Sequence, residues 1–301
     1  MKYQHYFLTL FMTLIFSLGY TQSLKPYILG LKSESKLDQI KAELTTHLNS
    51  EGIDVLGEYA PAEDPDRWVM VISSDDLIDA VKQVNGLTAF AATLRIAITR
   101  EDDKHAISYT NPSYWGNAYF RSDFSKVETN YKSLESKIII AIIKLGNYEG
   151  TAFGSEKGVE IEDLRKYRYM FGMPRFDDTV ELGKFSNYDE AITRIEANIS
   201  SGKANIKHVY SIEIPGQKLK LYGFALLGED GESSFLPKID ITNPKHTAFL
   251  PYEALVVDGK VFMLHGRYRI ALSFPDLTMG TFTKIMSTPG DIKDLLKTIA
   301  E

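Results

Sequence analysis

Two stretches of the chain carry the same succession of cues, and this repetition constrains the fold more than any single motif. Ser35-Lys36-Leu37-Asp38 opens an amphipathic stretch with apolar residues at Leu37, Ile40, Leu44 and Leu48. Ser186-Asn187-Tyr188-Asp189, offset by 151 residues from Ser35, opens another with Tyr188, Ile192, Ile195 and Ile199. Each reads as a Ser N-cap with an acid three residues on, followed by a helix. Upstream, Tyr27-Ile28-Leu29-Gly30 and Val180-Glu181-Leu182-Gly183 have the look of a strand entering the cap. Downstream, Val55–Tyr59 matches His208–Ile212, and the apolar strand Trp68–Ile72 matches Leu221–Leu226. Thr88-Ala89-Phe90 is echoed by Thr247-Ala248-Phe249, and the stretch Ile107–Pro112 by Leu272–Pro275, where the offset from Pro112 to Pro275 has grown to 163. A loop insertion from Gly228 to Pro244 accounts for part of that growth. Each copy therefore reads strand, helix, strand, strand, a second helix or loop, then a two-stranded hairpin. That order predicts an α+β fold of two duplicated α/β-sandwich repeats, with largely antiparallel sheets and helices on one face.

A stretch of another kind separates the copies. Val127, Tyr131, Leu134, Ile138, Ile142 and Leu145 recur by threes and fours, which is a helix with one apolar stripe. The Gly-rich loop Gly150–Gly158 leads to a second short helix at about Glu160–Met170, stopped by Pro174. So much apolar surface predicts a connector packed between the halves. The expected divisions are 1–21 as a signal peptide, 22–125 as the first repeat, 126–178 as a helical connector and 179–301 as the second repeat.

Thr247-Ala248-Phe249-Leu250-Pro251, followed by a hairpin and a strand ending near a proline, resembles the domain-of-unknown-function 302 family. Thr88-Ala89-Phe90, Arg95–Ile98 and Ser108–Pro112 are a looser match in the first copy. Leu164–Pro174 and His246–Glu253 are similar to strings in uncharacterised exported bacterial proteins. The resemblance implies an α+β fold in tandem copies, and it brings with it no catalytic residue.

Lys2 and His5, the apolar run Tyr6–Gly19 and the small residues Ser17, Gly19 and Thr21 have the three parts of a secretory signal. Export to the periplasm or the extracellular space follows, with no transmembrane segment after cleavage. The alternative is an uncleaved N-terminal anchor. Cysteine is absent, which excludes a disulfide framework, a lipidated Cys and a Cys nucleophile. The formal charge of −6 argues against a nucleic-acid partner.

Three groups of residues are candidates for function. His265, Arg267 and Arg269 alternate along an expected strand, so that one face can grip a carboxylate or phosphate. The alternative there is a solvated sheet face paired with acids such as Glu253 or Asp258. His246, Tyr252 and Glu253 lie near His265 in sequence, and a hairpin can bring the two histidines together. Two histidines and a carboxylate suit zinc, but the spacing matches no zinc motif, and no metal is expected. In the connector, Arg165–Tyr169 precede Met170-Phe171-Gly172-Met173, with Arg175, Asp177 and Asp178 behind. Arg168, Tyr169 and Arg175 can belong to a ligand cleft between the halves; the alternative is core apolar residues beside surface charges. Tyr114-Trp115 reads as an aromatic turn packed over a sheet end. Neither a P-loop ending nor a Gly-x-Ser-x-Gly elbow occurs. The reading is an exported, non-enzymatic module for a small anionic or amphipathic ligand. The alternatives are a hydrolase or lyase using His246, His265 and Glu253, and an envelope structural protein. Cofactor, substrate and oligomeric state are left open.

Overall fold

The computed structural model describes residues 22–202 and 205–301; the expected signal segment, 1–21, lies outside them. Chain order runs β1 (Ser23–Leu24), β2 (Tyr27–Ser33), α1 (Leu37–Ser50), β3 (Asp54–Tyr59), β4 (Arg67–Ser73), α2 (Asp75–Val84), β5 (Leu94–Glu101), β6 (Lys104–Thr110) and α3 (Pro112–Phe120). Next come α4 (Phe124–Ile143), β7 (Thr151–Phe153), β8 (Val159–Glu160) and α5 (Ile161–Leu164). The rest is β9 (Val180–Lys184), α6 (Tyr188–Ser201), β10 (Ile206–Glu213), β11 (Leu219–Leu226), α7 (Glu232–Ile239), β12 (Tyr252–Val257), β13 (Lys260–Met263), α8 (Gly266–Ser273), α9 (Met279–Phe282) and α10 (Thr288–Lys297).

The fold is α+β. Among the described residues one sheet has the order β3-β4-β5-β6-β2-β7 and a second the order β10-β11-β12-β13-β9, and a short ladder joins β1 to β8. All the pairings are antiparallel. Leaving aside β7, the two sheets run through their elements in the same order. Even the bulges correspond, between Val55 and Gly57 in β3 and between His208 and Tyr210 in β10.

Helices cover the outer face of each sheet. Helix α1 turns Ile40, Leu44 and Leu48 inward, and α2 turns Leu77, Ala80 and Val81 inward. Helix α4 lies against α1, α2 and α3, burying Val127, Tyr131, Leu134, Ile138, Ala141 and Ile142. On the second sheet α6 and α10 take the corresponding place. A fully buried Leu or Ile side chain contributes about 1.5–3 kcal/mol, so the α4 stripe alone is a large fraction of the stability of the first half. Among the described residues no helix is long and apolar enough to cross a membrane.

The inner faces belong to the contact between halves. The turn Thr247–Phe249 lies on β4, β5 and β6, while the turn Gly86–Ala91 lies on β11 and β12. Helices α3 and α8 follow β6 and β13, capped by the side chains of Asn111 and His265, which accept from Tyr114 N and Arg267 N. The third residue after each cap is a tyrosine. Tyr114 Oη donates to Leu272 O at 2.8 Å, and Tyr268 Oη donates to Ala118 O at 3.3 Å. The fourth residues meet as well, the Arg269 guanidinium standing 4.9 Å from the Trp115 ring. Such reciprocity is what an approximate two-fold axis between the halves imposes. The edge strands β3 and β10 meet beside it. A Cβ on Gly57 would lie 2.1 Å from Val209 O, so only glycine lets the two backbones come so close.

Several sequence expectations are corrected here. The cap of α1 is Lys36, and no side chain bonds it; that of α6 is Asn187, whose side chain accepts from Glu190 N while Glu190 accepts from Ser186 N. The Ser-x-x-acid pattern was therefore read one residue early. The segment Gly228–Pro244 is more than a loop insertion, because it holds α7, in the place that α2 has in the first half. Strand β6 corresponds to β13, so Ile107–Pro112 and Leu272–Pro275 are no structural match. Tyr114 and Trp115 are interior residues of α3, not a turn. The loop Gly150–Gly158 contains β7, which lengthens the first sheet beside β2. The second connector helix is only α5, since the chain turns away after Leu164.

Candidate functional site

The segment that turns away after α5 is held at its ends and free at its middle. Arg165 Nε donates to Asn117 Oδ1 at 2.9 Å, and Tyr167 Oη donates to Ala271 O at 2.9 Å. Tyr169 Oη reaches Leu277 O at 3.1 Å, and buried Phe176 packs its ring 5.2 Å from that of Tyr119. Between these anchors the chain reverses, with Met173 N bonded to Met170 O and Gly172 at φ +79°, a conformation that glycine adopts without strain.

This loop and α8 line a small, partly open pocket of about 50 Å³. Its walls are almost wholly apolar, with Tyr169, Met170, Met173, Leu277 and Phe282 among them, and Arg267 at its edge. A second cleft, lined by Arg121, Arg165, Lys166 and Arg175, lies on the other side of Tyr167 and Phe176, and an open one by Lys166, Arg168 and Arg175 adjoins it. The acids nearby are largely spent on neighbours: Asp177 on Arg121 at 2.7 Å, Glu162 on Arg165 at 3.0 Å and Asp163 on Lys166 at 3.2 Å. Arg168, Arg175 and Arg267 are exposed and form no ion pair with the described residues. The chemistry on offer is an apolar socket with the Arg267 guanidinium at its edge, and a separate open cleft with those of Arg168 and Arg175.

A second assembly is closed. Glu253 on β12 lies in the core between Arg95 of β5 and Arg269 of α8, with all three side chains at most 2% exposed. Arg95 pairs directly with the Glu253 carboxylate, and Tyr210 Oη donates to it. Arg269 stands 3.5 Å from its other oxygen, and also donates to Tyr119 Oη at 2.8 Å and to Phe249 O at 2.7 Å. Arg95 and Glu253 occupy equivalent places in their sheets, for Arg95 lies across from Val71 and then Gly57, and Glu253 from Gly223 and then Tyr210. Gly223 lets the Tyr210 ring lie across β11, since a Cβ there would be 2.0 Å from that ring. Burial raises the Tyr210 and Tyr119 hydroxyls, the latter to about 12 although Arg269 opposes it. Burial works against the Arg269 charge, but Tyr119 and Glu253 more than offset it, and its pKa is raised. Tyr252 Oη and Arg95 Nε are buried without a hydrogen-bond partner among the described residues. A carboxylate gripped in this way is a structural ion, not a free base.

The candidate residues thus separate into distinct places. His265, Arg267 and Arg269 lie on no strand: β13 ends at Met263, His265 caps α8, Arg267 points to solvent and Arg269 to the core. Arg267 shares no face with the other two, because a helical step of two residues turns a side chain by more than half a circle. His246 stacks on Phe274 at 4.7 Å and lies near Tyr27 and Phe153, with burial lowering its pKa. Burial and then Arg267 lower that of His265. His246, His265 and Glu253 share no hydrogen bond or ion pair, so the expected acid–base set is not assembled. Nor do the described residues contain a group of three or more His, Asp or Glu placed to hold a metal ion. Sequence reasoning missed Met279 and Phe282, which have no local signature, and Arg95, a charge inside the apolar run Leu94–Ile98 that did mark the core ion pair.

No family model matches the chain, and no curated protein matches it. Among solved structures the chain is similar to that of an uncharacterized conserved protein, DUF302, from Bacillus stearothermophilus. The identity is 12% and the TM-score 0.35, covering 39% of this chain and 96% of that one. The strings around Thr247 resemble the same family.

Proposed function

We propose that the protein is an exported, non-enzymatic binding module, built of tandem copies, for a small amphipathic anion. The apolar part of the ligand enters the pocket between the 165–178 loop and α8, and its anionic group meets Arg267 at the pocket's edge, with Arg168 and Arg175 of the same loop adding positive charge. The observation that carries this reading is an apolar socket with Arg267 at its edge, formed in part by a loop whose Arg168 and Arg175 are exposed and, like Arg267, form no ion pair with the described residues. Pockets that combine apolar walls with a few convergent polar groups are the usual form of small-molecule sites. The same-order sheets and the reciprocal tyrosine bonds support tandem copies. The apolar run Tyr6–Gly19 supports export to the periplasm or beyond, and N-terminal sequencing of protein taken from the cell envelope checks it.

The test of the site is calorimetric titration with dodecyl phosphate below its micellar concentration. Binding is expected, weakened by about tenfold or more in an Arg168→Ala, Arg175→Ala, Arg267→Ala variant, because charge-assisted hydrogen bonds are each worth about 1.5–3 kcal/mol. The three side chains are exposed, so the variant should unfold at the same temperature as the parent. Equal binding by parent and variant would show the site to be elsewhere. Arg269 is unsuited to this test, since its removal strikes the core.

A further inference from the structure

The apolar surface around the pocket is larger than a small ligand covers. Among the described residues, five of the eight large exposed hydrophobic side chains, Tyr169, Met170, Phe171, Met279 and Met286, fall in two short segments. Tyr169, Met170, Met279 and Phe282 line one pocket, which brings the two segments together. Phe171 is 89% exposed at the tip of the reversal. It lines none of the three pockets around the loop and is left as a bare apolar tip, the form of side chain that inserts at a bilayer interface. The Arg168 guanidinium stands 5.3 Å from the Phe171 ring, Arg267 is at the pocket's edge, and Arg175 and Lys284, within or beside the two segments in sequence, are exposed. On a chain whose formal charge is −6, these cations are a local concentration of positive charge beside the apolar segments, with Asp177 spent on Arg121 and Asp178 accepting from Arg175 N. Aromatic and Met side chains ringed by Arg and Lys are the composition of a surface that lies in the headgroup region of a bilayer.

We infer that the 168–173 loop and the α9 segment dock onto an anionic phospholipid bilayer, with Phe171 inserted among the acyl chains and the arginines on the headgroup phosphates. This rests on the reading of the loop as the binding element, and it makes the membrane surface the source from which an amphipathic ligand is taken or to which it is given. The protein then rests on the membrane and does not span it.

The experiment uses the chain from Gln22 onward, which holds every described element, mixed with sonicated vesicles. Vesicles of equal phosphatidylglycerol and phosphatidylcholine should retain more than about tenfold more protein at low salt than phosphatidylcholine alone, since each cation at an anionic surface adds about fivefold. Binding should fall at 0.5 M salt, where the Debye length is about 4 Å against about 30 Å at 0.01 M. Phe171→Ser should lower retention by roughly tenfold, the apolar transfer of a phenyl ring. In a Phe171→Trp variant, lipids brominated on the acyl chain should quench the new emission. Retention unchanged by Phe171→Ser, or no quenching, would overturn the docking. No retention by vesicles while dodecyl phosphate still binds would overturn this inference and leave the pocket reading intact. Loss of both would overturn both.

Discussion

Replacing Glu232 by glutamine should remove a block of pH dependence from the stability of this protein. Glu232 opens α7 and is 1% exposed, and its carboxylate accepts from Tyr59 Oη at 2.8 Å, Ala62 N at 2.9 Å and Leu226 N at 3.3 Å. It thereby ties the second half to the 61–63 turn of the first. Burial pushes the carboxyl from 4.5 up to about 7, against the pull of these three donors. Between those two values the folded chain holds a proton that the unfolded chain has lost. The stabilisation is therefore complete below pH 4.5 and disappears as pH rises through 7, with a span of about 3 kcal/mol. Glutamine is neutral throughout and keeps one acceptor oxygen for Tyr59 and Leu226, but it sets an amide NH2 against Ala62 N at about 1 kcal/mol. The variant should be slightly less stable than the parent at pH 4.5 and about 2 kcal/mol more stable at pH 8. Urea unfolding followed by circular dichroism at both pH values reads the difference. If the gap between the two proteins is the same at pH 4.5 and pH 8, the carboxyl is ionised throughout and the three donors outweigh burial.

Glu253→Ala leaves Arg95 and Arg269 buried without their carboxylate and should lower stability by about 3–5 kcal/mol in the same urea assay, whereas a loss under 1 kcal/mol would mean that the cluster is solvated. Gly57→Ala drives a Cβ to 2.1 Å from Val209 O, which is backbone and cannot swing aside. It should cost about 1–3 kcal/mol and speed amide exchange along β3 and β10, and unchanged exchange would show that these edges do not touch in solution. Burial lowers the His246 pKa below 6.5, so its contribution to stability is present above 6.5 and lost as pH falls; an imidazole NMR titration with a midpoint above 6.5 would contradict its packing on Phe274.

What could be read from the residues was the part written locally. The α1 and α4 stripes, the strand around Trp68–Ile72 and the paired Thr-Ala-Phe turns follow from periodicity and turn chemistry, and the α+β class follows from their order. The region after Met263 misled because His265-Gly266-Arg267-Tyr268-Arg269-Ile270 alternates charged and apolar residues as a strand does. In the fold that pattern sits on α8, where Arg269 is buried because Glu253, Tyr119 and Phe249 O meet it there, a set of partners supplied by three separate elements. Sequence spacing carries no record of such partners. The candidate residues of the connector fared differently. Arg168 and Arg175 stand at an open cleft and Tyr169 at the apolar pocket, whose other wall is made by α8 and the 277–282 stretch, about a hundred residues on, which no local pattern announces.

The approximate two-fold axis leaves its mark on how this chain can change. Arg95 and Glu253 are images of each other, as are Tyr114 and Tyr268, and as are Trp115 and Arg269. In a dimer of two identical chains each of these positions would face its own copy, and one mutation would alter both sides at once. Here each side mutates alone, so opposite charges can come to stand at one structural position and the halves can grow unlike while their junction is kept. The same freedom has a penalty, because a change on one side must be met by a separate change on the other. A change at one of these positions should therefore be tolerated only with a matching change across the axis.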